Sequence, residues 1–294
     1  MDFLNSFIDD GTDWWDCAIH TDSKKKNKGA LIALKHDIFS QYLLYERVIS
    51  LHRDDPKKPI FINDDNKKLL LDYYNNPPVM LKSKLQTRRN NTLNICPYCG
   101  DLVRPNTLDH FIPKENFSHY AIFQNNLVPQ CRKCASIKSG KYFEPTQGCL
   151  FVHPFYSDIL SRIKYKITLS FDSSINSIQV EDVKLNTSNL TAIDKERIRC
   201  HLKELHVKSR INEYCMREFK ELRRKAKKNS FSLDVFISGK LSITNENGLD
   251  WCTAFYESLN SCNEAKEFLN KLIAQTSTRR GSLTCRDIEV FDFE

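Results

Sequence analysis

Cys96, Cys99, Cys131 and Cys134 form two Cys-x-x-Cys pairs with 31 residues between them. Zinc prefers four thiolates in a tetrahedron, and a two-residue gap lets one tight turn present two sulfurs to the same ion. Shuffling this composition would give only about 0.4 such pairs, so two close together are informative. The chain holds eleven cysteines, an odd number spread along its length, which argues for reduced thiols plus a metal site and against a disulfide framework. Structural zinc contributes roughly 10–16 kcal/mol of apparent binding energy, enough to hold a segment too small for its own core. The gap between the pairs exceeds the usual spacer of about 15–20 residues, so something is folded inside it. Cys17, Cys149, Cys200, Cys215, Cys252, Cys262 and Cys285 are isolated and read as small core residues.

Inside the gap stand Asp109-His110 and Asn126-Leu-Val-Pro. An imidazole near neutral pKa can take a proton from water. A carboxylate can hold a hard divalent ion with positions left for phosphate. Alone, an Asp-His pair is more often an ordinary hairpin hydrogen bond.

In order and spacing, "CPYCG", "LDHFIPK" and "NLVPQCRKC" resemble the HNH endonucleases, which are His-Me finger or ββα-metal nucleases, here of the subgroup with a four-cysteine zinc site. The match covers about 50 of the 294 residues. "FVHPFY" and the later strand-helix pattern resemble, more weakly, HNH proteins of bacterial anti-phage defence and restriction systems. The resemblance implies a zinc-stapled DNA endonuclease dependent on Mg²⁺ or Mn²⁺. His110 would be its general base and Asp109 a ligand of the catalytic ion. Asn126 would be the middle residue that braces the loop and orients His110.

The last letter of the motif is Asn or His and the second metal ligand. It falls on Ala135, whose methyl group cannot coordinate an ion. Three explanations are open: a deliberate Asn-or-His→Ala substitution that disables cleavage, which is the reading taken here; recruitment of Ser136, Asn125 or His153; or a natural pseudo-nuclease that only binds. Arg132, Lys133, Lys138 and Lys141 crowd the same region, and some are expected to touch the nucleic-acid backbone. His119 and His153 read as structural or supporting groups, with His153 the better placed to approach the site.

The elements that must position these groups are legible as periodicity. Residues 1–92 read as mostly helical: Ala30, Leu31, Leu34, Ile38, Tyr42, Tyr45 and Ile49 form one apolar face, and "KKLLLDYY" and "VMLKSKL" form shorter helices around Pro77-Pro78. Residues 93–154 form the zinc-stapled domain, and the turn residues of "CGDLVRPNTLDH" predict a short hairpin. Residues 155–294 form a C-terminal α/β region, with targeting or partner binding as its expected duty. There, Ile163, Tyr165, Ile167, Leu169 and Phe171 alternate as a strand with "SIQVEDVKL" as its partner. A helix follows, capped by Thr191 and Asp194, kinked, and continued by Ile211, Tyr214, Cys215, Phe219 and Leu222. Two shorter helices near 249–259 and 262–274 complete an α+β fold. His201 and His206 read as structural.

Net charge is +7 with a pI near 8.7, clustered at 24–28, 82–90, 132–141 and 223–228. Single clusters are usually solvated helix faces, but two of these adjoin the cysteines and suit phosphate binding. The acidic start and the lack of a membrane-length apolar run predict a cytoplasmic protein. The expected partners are DNA and a regulatory subunit such as an ATPase. The alternative is a non-catalytic zinc-ribbon subunit of a defence complex that binds nucleic acid or protein.

Overall fold

A computed structural model describes residues 3–21, 25–243 and 250–281; Lys24 of the first basic cluster and Cys285 lie outside them. The fold is α+β, 53% helical and 12% strand, and divides into two compact units. The first comprises Met1–Ile163 and Thr187–Val207, the second Lys164–Asn186 and Lys208–Glu294.

The first unit opens with α1 (Asp13–Ile19), α2 (Lys28–Ala33), α3 (Lys35–Ser50), α4 (Asp64–Asn75) and α5 (Val79–Arg89). The single face expected from Ala30 to Ile49 is broken at Leu34, which ends α2 and starts α3. Leu31, Leu34, Ile38, Tyr45 and Ile49 are buried, whereas Ala30 is exposed. Asn63 caps α4 by accepting from the Asn66 N–H at 2.8 Å, and Pro78 precedes α5, as proline's missing donor favours. Trp14, Trp15, Leu31, Ile38, Leu70, Tyr73 and Leu81 share a core with Leu108, Ile122 and Leu127. The N-terminal helices therefore form the floor on which the Asp-His segment rests.

That segment contains β1 (Thr107–His110), β2 (Leu127–Gln130) and α6 (Arg132–Lys138), with β3 (Phe143–Glu144) pairing β4 (Gly148–Cys149) beyond it. β1 and β2 are antiparallel, with Asp109 opposite Val128 and His110 opposite Leu127. The hairpin predicted within "CGDLVRPNTLDH" does not form. Only Thr107–His110 extends, and its partner lies 17 or more positions later because the turn residues are taken up by the first cysteine knuckle. α7 (Ala192–Glu204) also belongs to this unit, and Thr191 Oγ1 accepts from the Asp194 N–H at its start. It stops at Leu205, and His206 has a φ of +51°.

The second unit contains the hairpin β5 (Lys164–Asp172) and β6 (Ser177–Asn186) with α8 (Val207–Ala226), α9 (Leu233–Ile243), α10 (Trp251–Ser261) and α11 (Asn263–Gly281). Tyr165, Ile167 and Leu169 alternate inward along β5. Ile211, Cys215, Phe219 and Leu222 make the buried stripe of α8. α9 was not anticipated, and α11 runs further than its expected end near 274. Among the described residues, no helix is long and apolar enough to cross a membrane.

Candidate metal centre and adjoining polar site

The first cysteine knuckle is a turn. Gly100 N–H donates to the Cys96 carbonyl at 2.9 Å, and Gly100 has a φ of +78°, which only glycine adopts freely. The second knuckle is the start of α6: Cys131 is its N-cap, and its sulfur accepts from the Cys134 N–H at 3.5 Å. The Cys131 N–H in turn donates to Cys96 Sγ at 3.4 Å. All four cysteines are buried, free of disulfides, and have their sulfurs within 4.8 Å of one another. Two Zn–S bonds of about 2.3 Å at a tetrahedral angle place sulfurs about 3.8 Å apart. The Cys96–Cys134 and Cys99–Cys131 separations are 3.9 and 4.0 Å. The donor set therefore fits a structural metal such as zinc, which would tie the loop before β1 to the helix after β2. His201 supports the first knuckle from α7: its Nδ1 accepts from the Val152 N–H at 3.1 Å, so its Nε2–H donates to the Tyr98 carbonyl at 2.6 Å.

Asp109 and His110 end β1. His110 is 6% exposed, packs edge-on to Tyr74 at 4.4 Å, and places Nε2 2.9 Å from the Ala121 carbonyl. A carbonyl can only accept, so the proton sits on Nε2 and the lone pair on Nδ1. Burial lowers the imidazole pKa to about 3, against the opposing pull of the Ala121 carbonyl. At neutral pH the ring is uncharged.

Asn126 is fully buried and makes four hydrogen bonds. Its Oδ1 accepts from Tyr45 Oη–H and the Ile112 N–H, both at 2.8 Å. Its Nδ2 donates to the carbonyls of Ile112 at 3.0 Å and Tyr120 at 3.2 Å. The Asn126 carbonyl also accepts from the Phe111 N–H at 2.8 Å. One side chain thus closes the chain directly after His110 against the turn that carries Ala121. Tyr45, 81 positions away, has no sequence signal beyond its place on an apolar face. Asn126→Ala would leave several of these buried groups unpaired, and is expected to cost about 2–4 kcal/mol, measured as a fall in urea stability with zinc retained.

Lys138 departs from the expectation of a backbone-contacting surface lysine. Its side chain has 0% exposure, and Nζ lies 2.7 Å from the His110 carbonyl and 2.8 Å from Asp109 Oδ2. Position 138 is one turn beyond Cys134 on the same helix face, so the face that brings Cys134 to the metal centre also turns Lys138 inward. Burial raises the Asp109 pKa against the attraction of Lys138, and burial lowers that of Lys138 against the attraction of Asp109. Lys138→Met would strip a mostly buried carboxylate of its counter-charge. The expected loss is about 2–4 kcal/mol, below the usual range for a broken buried pair because Asp109 keeps 20% exposure. The double replacement Asp109→Asn/Lys138→Met is expected to recover most of it in a denaturation cycle.

Among the other basic candidates, Arg132, Lys133 and Lys141 are exposed, and Lys141 lies 3.6 Å from Glu204. Ala135 is half-buried on α6. The three substitute ligands are engaged or face away. His153 Nδ1 accepts from the Phe155 N–H, and its Nε2–H donates to the Asn125 carbonyl, both at 3.1 Å. Asn125 Oδ1 accepts from the Asp9 N–H at 2.9 Å, and Ser136 is exposed. His119 is buried, with its pKa lowered to about 4 by that burial. The residues present do not fit a catalytic divalent ion: Asp109 is balanced by the buried Lys138 ammonium, and Ala135 on the same helix offers only a methyl group.

No family model matches the chain. It is 30% identical over 118 residues to protein ea31 of Escherichia phage lambda, an alignment covering 39% of this chain and 38% of that protein. The chain thus spans under two-fifths of that relative's length. No solved structure matches.

Proposed function

We propose that residues 93–154 are an HNH-type finger of the four-cysteine subgroup, directed at DNA phosphodiesters, and that Ala135 keeps this chain from cutting. One observation carries the reading. A neutral imidazole, its tautomer set by the Ala121 carbonyl, adjoins a carboxylate at the end of a strand faced by a helix that starts in the cysteine cluster. In that arrangement His110 would accept a proton at Nδ1, Asn126 would hold the loop that positions it, and the cysteine-bound metal would fix helix to hairpin.

The inward Lys138 favours a second reading, a zinc-containing subunit of a bacterial defence complex that binds nucleic acid or protein and does not cut. One variant separates the two. Ala135→Asn is expected to produce plasmid nicking with Mg²⁺ or Mn²⁺, in the presence of any needed regulatory partner such as an ATPase, and His110→Ala in that background is expected to remove it. No nicking by the Asn variant, together with no gain in Mn²⁺ binding over the parent, would leave only the binding reading.

A further inference from the structure

A cavity of about 200 Å³ lies in the first unit, away from the groups used above, between the residues after α3, the β3–β4 turn and α7. Its lining includes Arg53, Arg197, Arg199 and Lys203, opposed by Glu196. Glu196 is already committed, with its Oε2 3.0 Å from Arg53. Arg197 reaches Asp194 only at 3.8 Å. Arg199 and Lys203 have no carboxylate partner among the described residues. They lie three and seven positions beyond Glu196, so all three share one flank of α7. The balance of the lining is therefore cationic.

The opposite wall is held by backbone. The Cys149 N–H donates to the His52 carbonyl at 2.7 Å. Gly148, with a φ of +80°, comes so close that a Cβ there would stand 2.4 Å from the same oxygen, so any side chain would push the turn away. Gln147 Oε1 accepts from Cys200 Sγ at 3.6 Å, which leaves its amide N–H groups as donors. His52 supplies no further charge: burial lowers its pKa, and Arg197 lowers it further.

We infer that this cavity is a phosphate-binding site. Pockets for whole small molecules run to about 300–1,000 Å³, so this one suits a single anionic group. No Phe, Tyr or Trp lines it, so it lacks the large aromatic platform on which bases usually stack. Guanidinium groups suit phosphate because their forked donors match its oxygens. The phosphate belongs to a nucleic-acid backbone or to a free anion, and the two sources differ in what they predict. The inference does not depend on whether the finger cuts.

The test compares the full chain with Arg199→Gln/Lys203→Gln, both exposed positions where substitution should leave melting temperature and zinc content unchanged. Fluorescence anisotropy with a labelled DNA duplex across a salt series reads the first source; calorimetry with inorganic phosphate reads the second. For a backbone phosphate, the variant is expected to bind duplex about tenfold more weakly, with a salt slope shallower by about one to two. For a free anion, the parent binds inorganic phosphate and the variant does not. Equal behaviour of parent and variant in both arms, or no binding by the parent in either, would overturn the inference. Neither arm measures cleavage, so the fate of Ala135→Asn and of this cavity are read separately.

Discussion

Purified chain is expected to carry one equivalent of zinc, and stripping it with a strong chelator is expected to unfold the β1–β2–α6 segment. One pair of four-residue antiparallel strands and a seven-residue helix bury too little to stand alone: short hairpins and isolated helices of this length are marginal in water. A structural zinc contributes roughly 10–16 kcal/mol, comparable to the whole stability of a typical domain at about 5–15 kcal/mol. Contacts of Leu108, Ile122 and Leu127 with the N-terminal helices offset part of the loss but do not replace the clamp. The expected readout is a rise of several orders of magnitude in amide exchange across residues 95–141, reversed by added zinc, with β5, β6 and α10 as internal reference. Cys134→Ser should reproduce it, since Cys134 is both a sulfur donor and part of the buried face of α6. Zinc below a tenth of an equivalent in a chain with fully protected β1 and β2 amides would show that the thiols pack without a metal.

Local rules carried the reading where local physics decides the structure. The Cys-x-x-Cys spacing, the period-two run at Tyr165–Leu169, the Thr191 cap and the proline stop at Pro77-Pro78 each depend on residues within a turn of one another. What the sequence concealed depends on long-range packing. The partner of β1 is β2, across a loop that carries Ala121, and turn residues near Asp109 pointed to a nearer strand. Lys138 is the clearest case. A lysine amid Arg132, Lys133 and Lys141 reads as one more surface charge, and only the position of Cys134 one turn earlier reveals that it must face inward. Tyr45 and His201 were concealed in a different way. Each sits on a helix face where an apolar residue would serve equally well, and its polar atom finds its partner only after the helix docks. α9 lacked a signal because its apolar residues form no sharp stripe.

Ala135→Asn is the substitution expected to change activity most. Ala135 and Lys138 stand three apart on α6, so they lie on one flank of the helix, and Lys138 already reaches Asp109 from that flank. A side chain of asparagine's length at 135 would add an amide oxygen on the side where Asp109 now meets the Lys138 ammonium. Charge stabilisation by a metal is worth several kcal/mol, and each 1.36 kcal/mol is tenfold in rate, so nicking should rise by about 10²–10⁴-fold over the parent. His110→Ala in the same background removes the proposed proton acceptor and should cost about 10²–10⁴-fold. Binding of Mn²⁺, followed by electron paramagnetic resonance, gives a readout that does not depend on turnover: weak in the parent, tighter in Ala135→Asn, and lost again when Asp109→Ala is added. If Ala135→Asn binds the ion and still fails to nick, the obstacle is Lys138, because an ammonium 2.8 Å from the carboxylate competes for the same charge. Ala135→Asn/Lys138→Met would then bind still more tightly, at the cost in stability derived above. If no variant binds Mn²⁺ better than the parent, Asp109 serves α6 as an anchor for Lys138, and the segment is a zinc-held recognition surface.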